Sequence, residues 1–203
     1  MIRLEHIRKR FGYFSLFDDL SLSLPDKGLF LLTGENGCGK STLLYLLSGL
    51  DEEYKGEYFF QGRDMKLLSE KEKDVLRRKE IGFLFSSGNL LRFLTVEENR
   101  TFDLPGNKLE LVSLPKNRSV FGLSGGEELL LPLSNELSKN RKAYLLDEVT
   151  SSLSKDSLAL VMDALKKESK ESLVLLATHD QRIMEEGNRL ELKNGKIASF
   201  TEE

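Results

Sequence analysis

The 203-residue sequence predicts an α/β fold with a central, mostly parallel sheet, and three observations carry that expectation. The runs LFLLT (29–33), AYLLD (143–147) and SLVLLAT (172–178) are apolar along their length, as strands covered on both faces must be. Segments of helical periodicity alternate with them: Leu43, Leu44, Leu46 and Leu47 form a wide apolar stripe within 40–50, and SLALVMDALKKE (157–168) is amphipathic. Outside 40–50, the first sixty residues read as β, which predicts an N-terminal antiparallel β subdomain beside the parallel sheet.

Taken in order, alternating Leu20, Leu22 and Leu24 give a half-buried strand, PDKG turns the chain, and LFLLT enters the core. After the helix at 40–50 comes the strand GEYFFQG, then SEKEKDVLRRKE, whose charge and composition predict a solvated helix face without chemistry. IGFLF (81–85) returns to strand, and Thr95 with Glu98 makes a capping box that opens a short helix. The weaker pattern of 86–123, with two prolines, reads as a small, mostly helical insertion. In LSGGEELLLP (123–132), Ser124 and Glu127 form another capping box, yet Pro132 falls two turns into the helix so announced. Since an interior proline costs about 3 kcal/mol, that helix is expected to bend or end early. RLELKNGKIASF closes the chain as a hairpin on an Asn-Gly turn. The length suits one sizeable core, so residues 1–203 are expected to form a single domain with the helical insertion at about 86–140.

Composition narrows the function classes. With 33 acids against 30 bases the net charge is −3, which gives no electrostatic reason to expect nucleic acid. No apolar run approaches the length of a membrane span, and MIRLEHIRKRF lacks the apolar core of a secretory signal. A lone cysteine, Cys38, fits a reducing compartment, so a cytoplasmic location is expected.

The chemistry sits at the ends of the apolar strands. GENGCGKST (34–42) fits G-x-x-x-x-G-K-[ST] between a buried strand and a helix, the setting a phosphate-binding loop requires. Gly34, Gly37 and Gly39 allow backbone conformations and close approach that a Cβ would obstruct, so the N–H groups of Glu35, Asn36, Cys38 and their neighbours can converge on phosphate. Lys40 would reach the β and γ phosphates, the Ser41 hydroxyl would hold Mg²⁺, and Thr42 completes the motif. A purely structural glycine turn would need few of these identities, and Cys38 reads as a small loop residue. In AYLLDE two carboxylates follow an apolar run and call for a cation or a firm hydrogen-bond partner, which places Asp147 near the metal and lets Glu148 orient or deprotonate a water. A lone histidine is ordinarily a packed or surface residue, but His179 follows SLVLLAT at the carboxyl end of a parallel strand, where ligand sites gather. His6 has no such setting.

GENGCGKST, LSGGE, LLDE and THD, in this order over essentially the whole chain, resemble the ATP-binding subunit of an ABC transporter, a P-loop NTPase. LSEKEKDVLRRKEIGFLF followed by NLLRFLTVEEN is similar to the subgroup serving macrolide exporters, lipoprotein-releasing systems and bacteriocin transporters. The resemblance implies ATP and Mg²⁺ as ligands, a membrane-spanning permease as partner, and peripheral attachment to the inner face of the membrane. It also implies a second nucleotide-binding subunit, placed head to tail, whose Ser124, Gly125, Gly126 and Glu127 meet the nucleotide held by the first. Phe11 matches the family's adenine-stacking aromatic, with Tyr13 as runner-up and burial in the core as an equal alternative for Phe11. Several positions depart from the family. Its metal-linked glutamine is Ser86, which could hold Mg²⁺ only through water; its aspartate after SSL is Ser154, its proline after LLDE is Val149, and the insertion is shortened. Those changes leave open a nucleotide-binding regulatory subunit with weak hydrolysis, beside a working export ATPase.

Overall fold

A computed structural model describes residues 1–85, 90–101 and 109–201; Ser86, the expected water-mediated metal partner, lies outside the described residues. Two sheets organise them. The six-stranded sheet runs β10-β9-β3-β8-β7-β6 and combines β3 (Gly28–Thr33), β6 (Ile81–Leu84), β7 (Ala143–Asp147), β8 (Leu173–Ala177), β9 (Asn188–Lys193) and β10 (Lys196–Thr201). Its strands pair in parallel except for the β9–β10 hairpin. A four-stranded antiparallel sheet, β2-β1-β4-β5, is formed by β1 (Ile2–Phe11), β2 (Phe14–Leu24), β4 (Lys55–Phe60) and β5 (Arg63–Asp64).

The continuous apolar runs are explained by a core on each face of the parallel sheet. Phe30 and Leu32 of β3, Leu145 of β7 and Leu175 of β8 pack with α1 (Lys40–Leu47) and the inner face of the antiparallel sheet. Their strand neighbours Leu29, Leu31, Tyr144, Leu146, Val174 and Leu176 face the other way. There they meet α4 (Gly125–Leu137) and α5 (Lys155–Glu168). Successive side chains of a strand point to opposite faces, so each of these strands needs apolar residues at every position.

The charged segment forms α2 (Glu70–Lys79), started by a Ser69–Glu72 capping box. The Thr95–Glu98 box opens α3 (Val96–Thr101), Glu98 accepting from the Thr95 N–H at 2.7 Å. Among the described residues of 86–123, regular structure is limited to α3 and one 3-10 turn, Val120–Gly122.

The expectation that Pro132 ends its helix early is not met: α4 runs unbroken to Leu137, with Pro132 inside it. Leu129, Leu130, Leu131, Leu133 and Leu137 are all buried. At roughly 1.5–3 kcal/mol for each buried leucine, their packing outweighs a proline cost of about 3 kcal/mol. Tertiary burial overrides the local propensity.

Candidate active site

Parallel strands bring the separate motifs to one edge. Leu32, near the end of β3, is level with Ala177 of β8, and Ala177 is level with Asp147 of β7. The Thr178 N–H donates to the Leu32 carbonyl at 3.0 Å and the Glu148 N–H to the Ala177 carbonyl at 2.9 Å, so both loops leave the sheet in fixed directions.

The loop between β3 and α1 behaves as its glycines require. Gly34, Gly37 and Gly39 all have positive φ, at 144°, 79° and 107°. At Gly34 a Cβ would lie 2.3 Å from the Leu192 carbonyl oxygen, a contact with backbone that has no means of relief. Gly39 occupies the N-cap of α1 without any side-chain cap, leaving the first N–H groups of that helix available to an anion. The Lys40 ammonium donates to the carbonyls of Gly34 (2.9 Å) and Glu35 (3.3 Å), so it lies across the loop. Cys38 is a half-buried free thiol whose sulfur packs near Gly34.

Asn36, Gly37, Gly39, Lys40, Ser41 and Thr42 line an open cavity of about 480 Å³ together with Glu148, His179 and Phe11. A second cavity of similar size adjoins it, lined by Glu35, Asn36, Gly37 and Cys38 and by the β9–β10 turn. Phe11 is 53% exposed, so its core alternative is excluded; the Lys9 ammonium sits 5.0 Å from the ring centre on one side. Tyr13 projects wholly into solvent and lines neither cavity. Phe14, which lines both cavities and is largely exposed, was not singled out by sequence reasoning. Its signal was present: it is the third aromatic in FGYF.

Asp147 is 6% exposed, and burial raises its carboxyl pKa, with a hydrogen bond from Ser41 and the charge of Lys40 acting in the opposite sense. One of its oxygens, Oδ1, is buried and has no hydrogen-bond partner. A buried acceptor of this kind beside a hydroxyl fits Mg²⁺, which takes one or two protein oxygens and completes its shell with phosphate and water. The donor set therefore suits the ion. Among the described residues no group of three or more His, Cys, Asp or Glu gathers as a metal cage.

Glu148 and His179 are in contact, Nδ1 to Oε2 at 2.9 Å, and the His179 backbone N–H reaches the same oxygen at 3.4 Å. Glu148 has φ of 54°, a left-handed conformation that a glutamate adopts only where its surroundings impose it.

Ser124 caps α4 as expected, accepting from the Glu127 N–H at 3.3 Å, while Glu127 accepts from the Ser124 N–H at 2.7 Å. Glu127 also pairs with Arg118 at 2.9 Å. Ser124 and Gly125 are exposed, and Gly126 is partly so. None of these residues lines the phosphate-loop cavities of its own chain. Ser154 is explained locally: it caps α5 by accepting from the Ser157 N–H at 3.2 Å.

The model of the ABC transporter family matches residues 17–151. The lipoprotein-releasing system ATP-binding protein LolD of Wigglesworthia glossinidia brevipalpis is 33% identical over 200 residues, covering 90% of this chain and 87% of that protein. The methionine import ATP-binding protein MetN of Rhizobium johnstonii is 32% identical over 201 residues, covering 91% of this chain. This chain spans only 55% of MetN. Among solved structures, a dimeric post-hydrolysis state of the ATP-binding cassette MJ0796 bound to ADP and Pi superposes with a TM-score of 0.87 at 25% identity. That match covers 100% of this chain and 98% of the other. With the fold, the order of the motifs and these likenesses in agreement, the chain belongs to the family of ABC transporter ATP-binding proteins.

Proposed function

We propose that the protein binds ATP with Mg²⁺ and hydrolyses it to drive a membrane-spanning permease, from the cytoplasmic face and paired head to tail with a second nucleotide-binding subunit. The observation that carries this reading is the convergence of Lys40, Ser41, Asp147, Glu148 and His179 at one edge of the parallel sheet, with the Asp147 oxygen buried and unpaired. The residues of the phosphate loop and Lys40 hold the β and γ phosphates, and Phe11 supplies a face for adenine. Ser41 and Asp147 would hold Mg²⁺, which supplies charge neutralisation at the phosphates. Glu148 orients the attacking water and takes its proton, while His179, hydrogen-bonded to Glu148, lies beside the terminal phosphate. Ser124 and the bare N–H groups at the start of α4 would serve the nucleotide of the partner subunit, since they are exposed and line neither cavity of their own phosphate loop.

The cargo direction rests on sequence likeness to lipoprotein-releasing and macrolide-export systems, which favours export of a lipoprotein, peptide or antimicrobial compound. Among the relatives, LolD serves release and MetN import. Steady-state phosphate release tests the enzymatic reading. Wild type with its permease should turn over, and Glu148→Gln should lose at least about a hundredfold in kcat, the order of effect of a positioned base. Turnover near zero in both proteins would instead support a regulatory nucleotide-binding subunit.

A further inference from the structure

The strand-end loops after β7 and β8 are tied together a second time, away from the nucleotide cavity, by a residue outside every recognised motif. Arg182 spends four N–H contacts on the chain itself. Its Nε and Nη2 donate to the two carboxylate oxygens of Asp180 at 2.8 and 2.7 Å. Nη1 donates to the Leu153 carbonyl at 3.0 Å and Nη2 to the Thr150 carbonyl at 3.1 Å. Asp180 is 8% exposed, immediately follows His179, and is held below the usual carboxylate range chiefly by Arg182. Behind this fork, the Asp180 N–H donates to the buried Thr178 hydroxyl at 3.0 Å, and that hydroxyl lies 3.4 Å from the one on Thr150.

The two loops are thus fixed at both ends. On the cavity side the bond is Glu148 to His179; on the far side it is Arg182. Glu148 begins the clamped loop in a left-handed conformation that needs external restraint. A planar guanidinium can bind a carboxylate through two parallel bonds and still direct N–H groups at two carbonyls; an ammonium cannot satisfy that geometry.

We propose that Arg182 is a positioning residue for hydrolysis, setting the separation of Glu148 and His179 by locking the loop after β7 to the loop after β8. The proposal rests on the assignment of Glu148 and His179 to hydrolysis given above. It adds a residue that touches no substrate, so its removal should affect the chemical step and spare nucleotide binding.

The test compares wild type, Arg182→Ala and Arg182→Lys with the permease partner, measuring kcat and KM for MgATP. It also measures amide hydrogen exchange across the chain without nucleotide. Arg182→Ala should lower kcat by roughly ten- to a hundredfold, the scale expected when a catalytic group is displaced by about 1 Å. KM should stay within about twofold because the phosphate loop is untouched. Arg182→Lys should recover only part of the rate. Exchange should quicken in residues 148–154 and 178–182 while the amides of α1 and β3 hold. A kcat unchanged in Arg182→Ala, or exchange that quickens equally everywhere, would overturn the proposal. Should wild type show no turnover, the hydrolysis reading fails and the clamp is judged on exchange alone: selective quickening upholds the lock, and an unchanged pattern rejects it.

Discussion

Asp147 shows how function and stability compete at one side chain. Its carboxyl is buried, its pKa is raised by that burial, and one oxygen lacks a partner. Because the folded state holds the proton more tightly than the unfolded chain, its contribution to stability falls as pH rises from the usual carboxylate value, 3.8, through the raised one. Asp147→Asn removes that cost. In the absence of Mg²⁺ and nucleotide the variant should melt a few degrees higher at neutral pH, about 1 kcal/mol corresponding to roughly 2–4 °C for a chain of this size. The same variant should lose Mg²⁺-dependent nucleotide stabilisation, and both effects are read from one set of calorimetric scans. At this scale the nearness of the glycine-rich loop to the two carboxylates was legible, because segments that follow parallel strands gather at the same end of the sheet. Arg182 was not, since nothing in DQRIM announces that two of its partners, the Thr150 and Leu153 carbonyls, lie some thirty residues earlier. Phe14 was missed for a similar reason: alternation alone does not tell an exposed aromatic beside a cavity from one beside open solvent.

Among the elements, α4 carries both a success and a failure of local reasoning. Its Ser124–Glu127 box formed as the spacing predicts, and the Glu127 carboxyl is held below its ordinary value of 4.5, first by the backbone N–H of Ser124 and also by Arg118. A depressed pKa means that this contribution is complete above 4.5 and is lost as pH falls through the lowered value. Ser124→Ala should cost about 1 kcal/mol in urea unfolding at pH 7. Acid titration of Glu127→Gln should show a smaller loss of stability below pH 4.5 than wild type shows. Pro132 misled because helix propensity is local, whereas the leucines on either side of it are buried by two different layers: Leu131 packs with Val96, Leu114 and Val120, and Leu130 and Leu133 pack with the sheet. Pro132→Ala restores an N–H donor for the Glu128 carbonyl. It should stabilise the chain by about 1–2 kcal/mol, the propensity gain less the entropy returned to the unfolded state, as measured by the shift in urea midpoint at constant m-value.

For the whole molecule, the alternation of buried runs with amphipathic stretches was enough to predict a parallel sheet with two covered faces, because only that arrangement buries consecutive strand residues on both sides. Strand order is different: β3 lies between β8 and β9 although β4, β5, β6 and β7 intervene in sequence, and no local pattern encodes those neighbours. The exposed start of α4 lines neither cavity of its own phosphate loop, so on the head-to-tail reading Glu148→Gln mixed with MgATP should dimerise, doubling its mass in light scattering, while wild type under turnover should be largely monomeric. A monomeric variant at saturating ATP would count against the head-to-tail arrangement. The hairpin of β9 and β10 links this scale back to the first. The Leu192 carbonyl occupies the space where a Cβ on Gly34 would be, and the Leu16 carbonyl stands in the same relation to Gly195. The phosphate loop therefore rests on backbone synthesised more than 150 residues after it. A chain cut before the hairpin would keep all four family motifs and lose the backbone against which Gly34 is seated.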